Sequence, residues 1–179
     1  MSRTATILCP GPSLTTYNPP TRPDLVIAVN RAASVALCDW WSMLDAHTFG
    51  RTQCIGHPKI LCGPQVRGEI KSSNPTRAPL HQFRDKRELA VTFPEAKPYL
   101  SFSFSAAIWL AVEQGATEIQ CFGADFGGEA DWDGHTSDRN CRTPERWTRE
   151  RGLYEKLREL LAGRGVAVER VGVATEAVK

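Results

Sequence analysis

The chain has 179 residues, of which 41% are hydrophobic and 23% are charged, a balance typical of a globular protein with one core. Its 22 basic and 20 acidic residues leave a net charge of only +2, which argues against bulk electrostatic attraction to nucleic acid or membranes. No apolar run has the length of a membrane span, and no signal-peptide core follows Met1, so we expect a cytoplasmic protein without a membrane span.

The six cysteines indicate neither a disulfide framework nor a zinc site, because no Cys-x-x-Cys pair is present and most of them lie in apolar segments. We expect reduced, buried thiols, and we assign no residue of the sequence to a metal.

The stretch from Ala5 to Leu14 begins with an apolar run that stops abruptly at Pro10-Gly11-Pro12. The run predicts a buried strand, and the turn places the Ser13 hydroxyl and free backbone N–H groups where a helix would begin. Such N–H groups can hold a phosphate, so Gly11, Pro12 and Ser13 are candidate nucleotide-binding residues. A tight turn without a ligand is the alternative, since neither the three-glycine dinucleotide fingerprint nor a P-loop is present.

The next two predicted strands also end in polar residues. The β-branched run Leu25–Val29 indicates a strand buried on both faces, with Asn30-Arg31 after it and a short helix over residues 32–37. Residues 39–45 indicate a third strand that ends at Asp45. Polar residues beyond parallel strands face the crevice where open α/β sheets bind ligands, so Asn30, Arg31 and Asp45 are candidate nucleotide contacts. The alternatives are that Asn30 only caps the helix and that Asp45 only satisfies loop amides.

A fourth strand over residues 59–62 precedes a segment, 65–100, that is rich in Arg, Lys, Pro and Ser and has no clean period. We interpret this segment as an irregular insert that can contain a short helix. It would be either a surface insertion or a lid whose arginines close over a bound donor; these are Arg67, Arg77, Arg84 and Arg87.

Regular structure is predicted again after residue 100. Residues 103–112 indicate an Ala-rich helix packed closely on a sheet, with Ser103 and Ser105 placed to cap its start or to meet a phosphate. The following strand, residues 118–126, would deliver Asp125 to the same edge of the sheet. Asp125 is a candidate catalytic residue, and the alternative is again that it satisfies loop amides.

The polar loop at residues 127–140 contains His135, the histidine that we select for proton transfer because nearby carboxylates would orient its ring. A solvated loop histidine is the alternative. A helix over 143–161 and a strand over 166–168 follow. Alternating strands and helices predict an α/β fold, in which residues 1–179 form a single Rossmann-like domain. Its mostly parallel sheet would be flanked by helices, with the irregular insert around residues 65–100, and the polar strand ends would meet at one edge.

Several of these segments resemble the bacterial lipooligosaccharide sialyltransferase family. They are Gly11-Pro12-Ser13-Leu14, Val29-Asn30-Arg31, the run 115–119 that leads to Gly123-Ala124-Asp125-Phe126, and Gly134-His135-Thr136. The resemblance implies that the first loop grips the CMP of CMP-sialic acid and that Asn30 contacts the nucleotide. It also implies a nucleotide contact from Ser103 or Ser105, and His135 as the general base.

Two positions depart from that family. Cys9-Pro10 stand where the family has Gly-Asn, which removes one nucleotide contact, and Asp45 stands where the family has Asn. An acid at this position, together with Asp125, is similar to the related hydroxymethylpterin pyrophosphokinase group, whose members use Mg²⁺ and ATP.

The first hypothesis is an inverting glycosyltransferase that uses a nucleotide-sugar donor without a cofactor, with His135 deprotonating an acceptor hydroxyl. The second is a Mg²⁺-dependent pyrophosphokinase or nucleotidyl-type transferase in which Asp45 and Asp125 hold the metal against ATP. By analogy, and from the Arg-rich stretches, a phage-type enzyme that modifies a hydroxylated DNA base is a further alternative to a glycan-directed enzyme. A non-catalytic nucleotide- or nucleic-acid-binding module is the remaining class.

Overall fold

A computed structural model describes residues 3–19, 21–128, 130–136 and 143–172. The strands in these ranges are β1 Thr4–Leu8, β2 Leu25–Val29, β3 Trp40–Ser42, β4 Lys59–Cys62, β5 Phe83–Asp85, β6 Glu118–Phe122 and β7 Ala167–Val171. They form one sheet in the order β5-β4-β3-β2-β1-β6-β7, and every neighbouring pair is parallel. The predicted α/β fold with a parallel sheet is confirmed.

The α-helices of the same ranges are α1 Ala46–Arg51, α2 Pro64–Ser73, α3 Leu89–Thr92, α4 Ser103–Glu113 and α5 Pro144–Ala162. Short 3₁₀ helices lie at Pro12–Thr16, Asn30–Ser34, Ala78–Leu80, Lys86–Glu88 and Pro94–Tyr99. Because parallel strands need crossover connections, these helices cover both faces of the sheet. None of the helices in the described ranges is both long enough and apolar enough to cross a bilayer.

Strand β1 lies in the interior of the sheet, where Ile7 is in register with Ile27 of β2 on one side and with Cys121 of β6 on the other. The strand order reverses at this point, and in open α/β sheets the crevice at such a reversal is the usual ligand site. All five residues of β2 are buried, as its continuous apolar run predicts for a strand covered on both faces.

Two apolar layers enclose the sheet. On one face, α4 lies across β1, β2 and β3, and its alanines Ala106, Ala107 and Ala111 are at most 1% exposed, so the helix backbone approaches the strands closely. Helix α5 contributes Leu157 and Leu161 to this same layer. On the other face, α1 and α2 cover a second layer built around the stacked rings of Trp41 and Phe49. The N-terminus of α4 lies at the carboxyl edge of the strands, because Ser103 contacts Asn30 directly after β2.

The segment 65–100 is more regular than predicted. It contains most of the ten-residue helix α2, the whole of α3 and the edge strand β5, in which Phe83 is in register with Ile60 of β4. The three residues of β5 are too few to show a period, and their pairing partner is distant in sequence. The expected short helix is present as α2, and the segment otherwise consists of short 3₁₀ helices and turns around α3 and the added edge strand β5.

Smaller differences occur at element ends. The predicted helix 32–37 is a 3₁₀ helix over Asn30–Ser34, the third strand is limited to Trp40–Ser42, and α1 was not predicted. Residues 129 and 137–140 of the polar loop, and Cys141, lie outside the described ranges. The cysteines within the described ranges are free, and burial raises the pKa of the Cys9 thiol well above its usual value.

Candidate active site

The turn after β1 is attached to the end of β6 by backbone hydrogen bonds. The Cys9 N–H donates to the Phe122 carbonyl at 2.7 Å, and the Gly11 N–H donates to the Gly123 carbonyl at 3.0 Å. A Cβ atom on Gly11 would lie 2.4 Å from that Gly123 oxygen, so the approach requires glycine. The turn after β1 and the end of β6 are thus in direct contact at the strand-order reversal.

Ser13 and Asp125 hold this contact together. The Ser13 N–H donates to Asp125 Oδ2 at 2.9 Å, and the Gly123 N–H donates to Ser13 Oγ at 3.1 Å. Asp125 therefore satisfies a loop amide, which was the alternative to a catalytic role. The Ser13 amide is no longer available to a phosphate, whereas its hydroxyl proton has no acceptor among the described residues.

Asn30 lies directly after β2 with a φ of 50°, in the left-handed region that Asn tolerates better than most residues. The Trp41 indole N–H donates to the Asn30 carbonyl at 2.7 Å and fixes this conformation. The Ser103 hydroxyl donates to Asn30 Oδ1 at 3.3 Å. The Asn30 Nδ2 group has no acceptor within the described ranges and is free to donate to a ligand.

The N-terminus of α4 meets Asn30 at the same edge. Ser103 is the first residue of α4, and its carbonyl accepts a hydrogen bond from the buried Ser42 hydroxyl at 2.8 Å. The N-cap residue, Phe102, provides no side-chain hydrogen bond to the first turn. These uncapped N–H groups, together with the helix dipole, form an environment that favours an anion. Ser105 is 3% exposed within this turn.

Arg31 does not point to open solvent but to the acidic loop. Its guanidinium donates to Asp131 Oδ2 at 2.9 Å and to Asp133 Oδ2 at 2.5 Å, and it lies over the Trp132 ring at 5.4 Å from the ring centroid. The two aspartates already neutralise the positive charge of the guanidinium, so Arg31 is not available to bind a nucleotide phosphate. In this structure, Arg31 is therefore part of the wall of the site.

Hydrogen bonds of its backbone hold His135 beside the two aspartates that Arg31 contacts. Its N–H donates to Asp133 Oδ1 at 3.1 Å, and its carbonyl accepts from the Asp131 N–H at 2.9 Å. The Trp132 N–H donates to the Pro10 carbonyl at 3.2 Å, which joins the loop to the turn after β1. The His135 residue is exposed, and its imidazole has no hydrogen-bond partner among the described residues.

Asp133 accepts hydrogen bonds from both the Arg31 guanidinium and the His135 N–H. Burial by itself would raise the pKa of Asp133, but the hydrogen bond from the His135 N–H and the Arg31 guanidinium outweigh it and lower the pKa below its usual value. Asp133 is therefore ionised at neutral pH and remains a partner for Arg31.

Asp45 is hydrogen-bonded to α1 and not to the other predicted site residues. It is the N-cap of α1, where its Oδ1 accepts from the Thr48 N–H at 2.8 Å and from the Thr48 hydroxyl at 3.0 Å. Asp45 follows β3 and Asp125 follows β6, so the two strand ends are three strand spacings, roughly 14 Å, apart. Because Mg²⁺ binds oxygen ligands at about 2.1 Å, these two carboxylates do not fit one ion. No cluster of three metal-ligating side chains occurs in the described part of the chain.

Most arginines of the segment 65–100 are engaged in packing and ion pairs. Arg84 pairs with Glu113, Arg87 pairs with Asp85 at 2.7 Å, and Arg77 donates to the carbonyls of Phe49 and Thr52. Arg67 lies over the Phe83 ring. The prediction that these four arginines close over a donor is not supported by their positions.

Lys86 is a cation at this edge that the sequence analysis missed. Its ammonium donates to the Leu100 carbonyl at 2.6 Å, just before α4 begins, and it has no carboxylate hydrogen-bond partner among the described residues. Burial lowers the pKa of Lys86, against the opposing effect of the neighbouring Asp85. The two unused ammonium N–H donors are therefore available beside the α4 N-terminus.

The geometry thus brings most of the predicted residues to one edge in three connected groups. The β1–β6 group contains Gly11, Pro12, Ser13 and Asp125; the α4 group contains Asn30, Ser103 and Ser105; and the loop group contains Arg31 and His135. Asp45 follows β3 at the same edge, but its hydrogen bonds are with Thr48 of α1 and not with these groups. Ser42, Trp132 and Lys86 were missed. Only Ser42, a polar residue that ends a strongly apolar strand, carried a signal that could have identified it. Asp131 and Asp133 are among the loop acids that were expected to orient the His135 ring, but their hydrogen bonds are with its backbone.

Comparison with solved structures relates this arrangement to known proteins. The sialyltransferase CstII from Campylobacter jejuni, in complex with the substrate analogue CMP-3FNeuAc, superposes with a TM-score of 0.60 over 96% of this chain and 82% of CstII, at 13% sequence identity. The fold resembles that of CstII. A CstII complex with a trisaccharide acceptor and CMP gives the same TM-score of 0.60, at 12% identity, over 95% of this chain and 81% of the other.

The likeness to CstII is one of fold, because the sequence identity is low. It agrees with the resemblance to sialyltransferases that the short motifs predict. No protein-family model matches the sequence, and no curated protein matches it in sequence.

Proposed function

We propose that the protein is a glycosyltransferase that transfers a sugar from a nucleotide-activated donor to an acceptor hydroxyl. The observation that carries this proposal is the meeting of three groups at one edge of the sheet. These groups are the uncapped N-terminus of α4 with Asn30, the turn at Ser13, and the loop that presents His135. The CstII-like fold supports the same class of enzyme.

The donor phosphate is assigned to the start of α4. There, the N–H groups of the first turn and the Asn30 Nδ2 group provide unpaired donors, whereas the Ser13 amide is already bound by Asp125. The ammonium of Lys86 lies at the Leu100 carbonyl, just before this turn, and contributes a positive charge. The Ser13 hydroxyl can donate to the ribose or phosphate from the opposite side.

His135 is assigned as the general base. Its imidazole removes the proton from the acceptor hydroxyl while the acceptor oxygen forms a bond to the anomeric carbon. The bond between that carbon and the donor phosphate oxygen breaks, and the nucleotide leaves with the electron pair. The positive end of α4 stabilises the negative charge that develops on the departing phosphate. A metal ion has no required role in this scheme.

CMP is the first ligand to test, because the CstII structures contain CMP or a CMP-sugar analogue. A ligand at 100 times its Kd stabilises the folded state by about 2.7 kcal/mol. For a chain of this size, that corresponds to a rise in Tm of roughly 5–11 °C. We expect this rise with CMP, UDP or GDP, and we expect the responding nucleotide to identify the donor.

Asn30→Ala is expected to abolish the rise, whereas Asn18→Ala, at an exposed loop position, is the matched control and should retain it. A wild-type protein whose Tm responds to none of these nucleotides would contradict the proposal, and a response to ATP with Mg²⁺ alone would favour the pyrophosphokinase alternative.

A further inference from the structure

Arg31 forms an unusually complete set of contacts with the loop that carries His135. Its Nη1 atom lies 2.9 Å from Asp131 Oδ2 and 3.4 Å from Asp133 Oδ1, and its Nη2 atom lies 2.5 Å from Asp133 Oδ2. The guanidinium also covers the Trp132 ring. One side chain at the end of β2 thus contacts three successive residues of a loop about a hundred positions later in the chain.

Burial makes this contact energetically important. The Asp131 side chain is only 6% exposed and the Arg31 side chain is 29% exposed, so their attraction is less screened by water than a surface pair would be. Removing the guanidinium would leave the Asp131 carboxylate buried without this partner. Loss of this ion pair would weaken the attachment of the loop to the end of β2.

The loop backbone transmits the position of these carboxylates to His135. Asp133 accepts from Arg31 and from the His135 N–H at the same time, through its two oxygens. The Asp131 N–H donates to the His135 carbonyl. The backbone N–H and carbonyl of His135 are therefore hydrogen-bonded to Asp133 and Asp131, the two residues that Arg31 binds.

From this arrangement we infer that Arg31 is a positioning residue for His135, acting through Asp131 and Asp133, and not a nucleotide ligand. The inference rests on the proposed function for its catalytic consequence, since it assigns Arg31 to the placement of the base. Its structural content, the attachment of the loop to the end of β2, can be measured without any substrate.

The test compares Arg31→Met with Arg22→Met. Arg22 is a matched control, because it also pairs with an aspartate, Asp39, at 2.7 Å, but away from the His135 loop. Amide hydrogen exchange is followed at Trp132, Gly134 and His135, each of which donates a backbone hydrogen bond in the loop. CMP binding is measured by calorimetry, and release of CMP from a CMP-sugar gives kcat and KM.

For Arg31→Met we expect loop amide exchange at least about tenfold faster, a Kd for CMP within about threefold of wild type, and a kcat about tenfold lower with little change in KM. Arg31→Lys should restore part of the protection and part of kcat, because it keeps the charge but not the two-pronged geometry. Arg22→Met should change none of these quantities.

A tenfold loss of CMP affinity with unchanged exchange would overturn the inference and make Arg31 a nucleotide ligand. Faster exchange with an unchanged kcat would also overturn it, because the contact would then be structural only. If Arg31→Met does not fold, Asp133→Asn removes the charge from the other side and should loosen the same amides. Wild-type protein that binds none of CMP, UDP and GDP, and releases none of them from a nucleotide-sugar, would refute the proposed function, while the exchange data would still decide whether Arg31 holds the loop.

Discussion

Gly123 is the residue at which a single methyl group tests the contact between the two central loops. Its φ is 71°, and a Cβ atom there would lie 2.0 Å from the Cys9 carbonyl oxygen and 3.0 Å from Leu14 Cβ. Gly123→Ala therefore imposes two penalties. The left-handed conformation costs about 1–2 kcal/mol for a residue with a side chain. The backbone shift needed to remove the overlap adds about 1–3 kcal/mol.

Gly115→Ala separates these two terms. Gly115 has a φ of 85°, but nothing lies within 4 Å of a Cβ built there, so this variant carries only the conformational penalty. In a chain of this size, 1 kcal/mol lowers Tm by about 2–4 °C. We expect Gly115→Ala to melt about 2–8 °C below wild type and Gly123→Ala to melt a further 2–12 °C lower.

Calorimetric melting of the three proteins provides the measurement. Nucleotide binding should follow the same ranking, because the Gly123 N–H donates to Ser13 Oγ and its displacement would move the turn. If Gly123→Ala melts within about 2 °C of Gly115→Ala, the turn after β1 and the end of β6 are not in tight contact at the strand-order reversal.

Further variants and conditions test other parts of the site and the fold. His135→Ala should keep CMP affinity but lower kcat by about 10²-fold or more, and an unchanged kcat would remove His135 from the mechanism. Lys86→Met should weaken CMP binding about five- to tenfold while Lys59→Met, at the opposite end of the strands, should not; equal effects would remove Lys86 from the site. EDTA should leave sugar transfer intact, whereas its loss would favour the Mg²⁺-dependent alternative. Burial lowers the pKa of His81, so the unfolded chain takes up a proton at higher pH than the folded chain does. Tm should therefore fall as the pH drops below about 6.5. His81→Phe should flatten the dependence of Tm on pH, and an unchanged slope in this variant would contradict the role of His81.

The fold was predictable where the signal was local and long. The Leu25–Val29 run and the Ala-rich helix that became α4 each show their burial directly in the sequence. The strand β5 was not predictable in this way. It has three residues, and it is ordered by pairing with β4, including the hydrogen bond from the Ile60 N–H to the Gln82 carbonyl.

The candidate site was predictable in location but less so in its details. Parallel strands bring their carboxyl ends to one edge, which is enough to place Asn30 and Ser13 there. The partner of the Ser13 amide is Asp125, 112 positions away, and no local pattern indicates that this donor is already used. The same holds for Arg31, whose carboxylate partners lie 100 and 102 positions away.

The interior position of β1 between β2 and β6 has a consequence for synthesis on the ribosome. The N-terminal strand emerges first and can pair with β2 at once, yet its other edge is completed only when β6 has been translated. Until then, a strand that is buried in the folded sheet has one row of unsatisfied backbone groups exposed to other nascent chains. We therefore expect ribosome-bound fragments that end before β6 to be more prone to aggregation than the released chain.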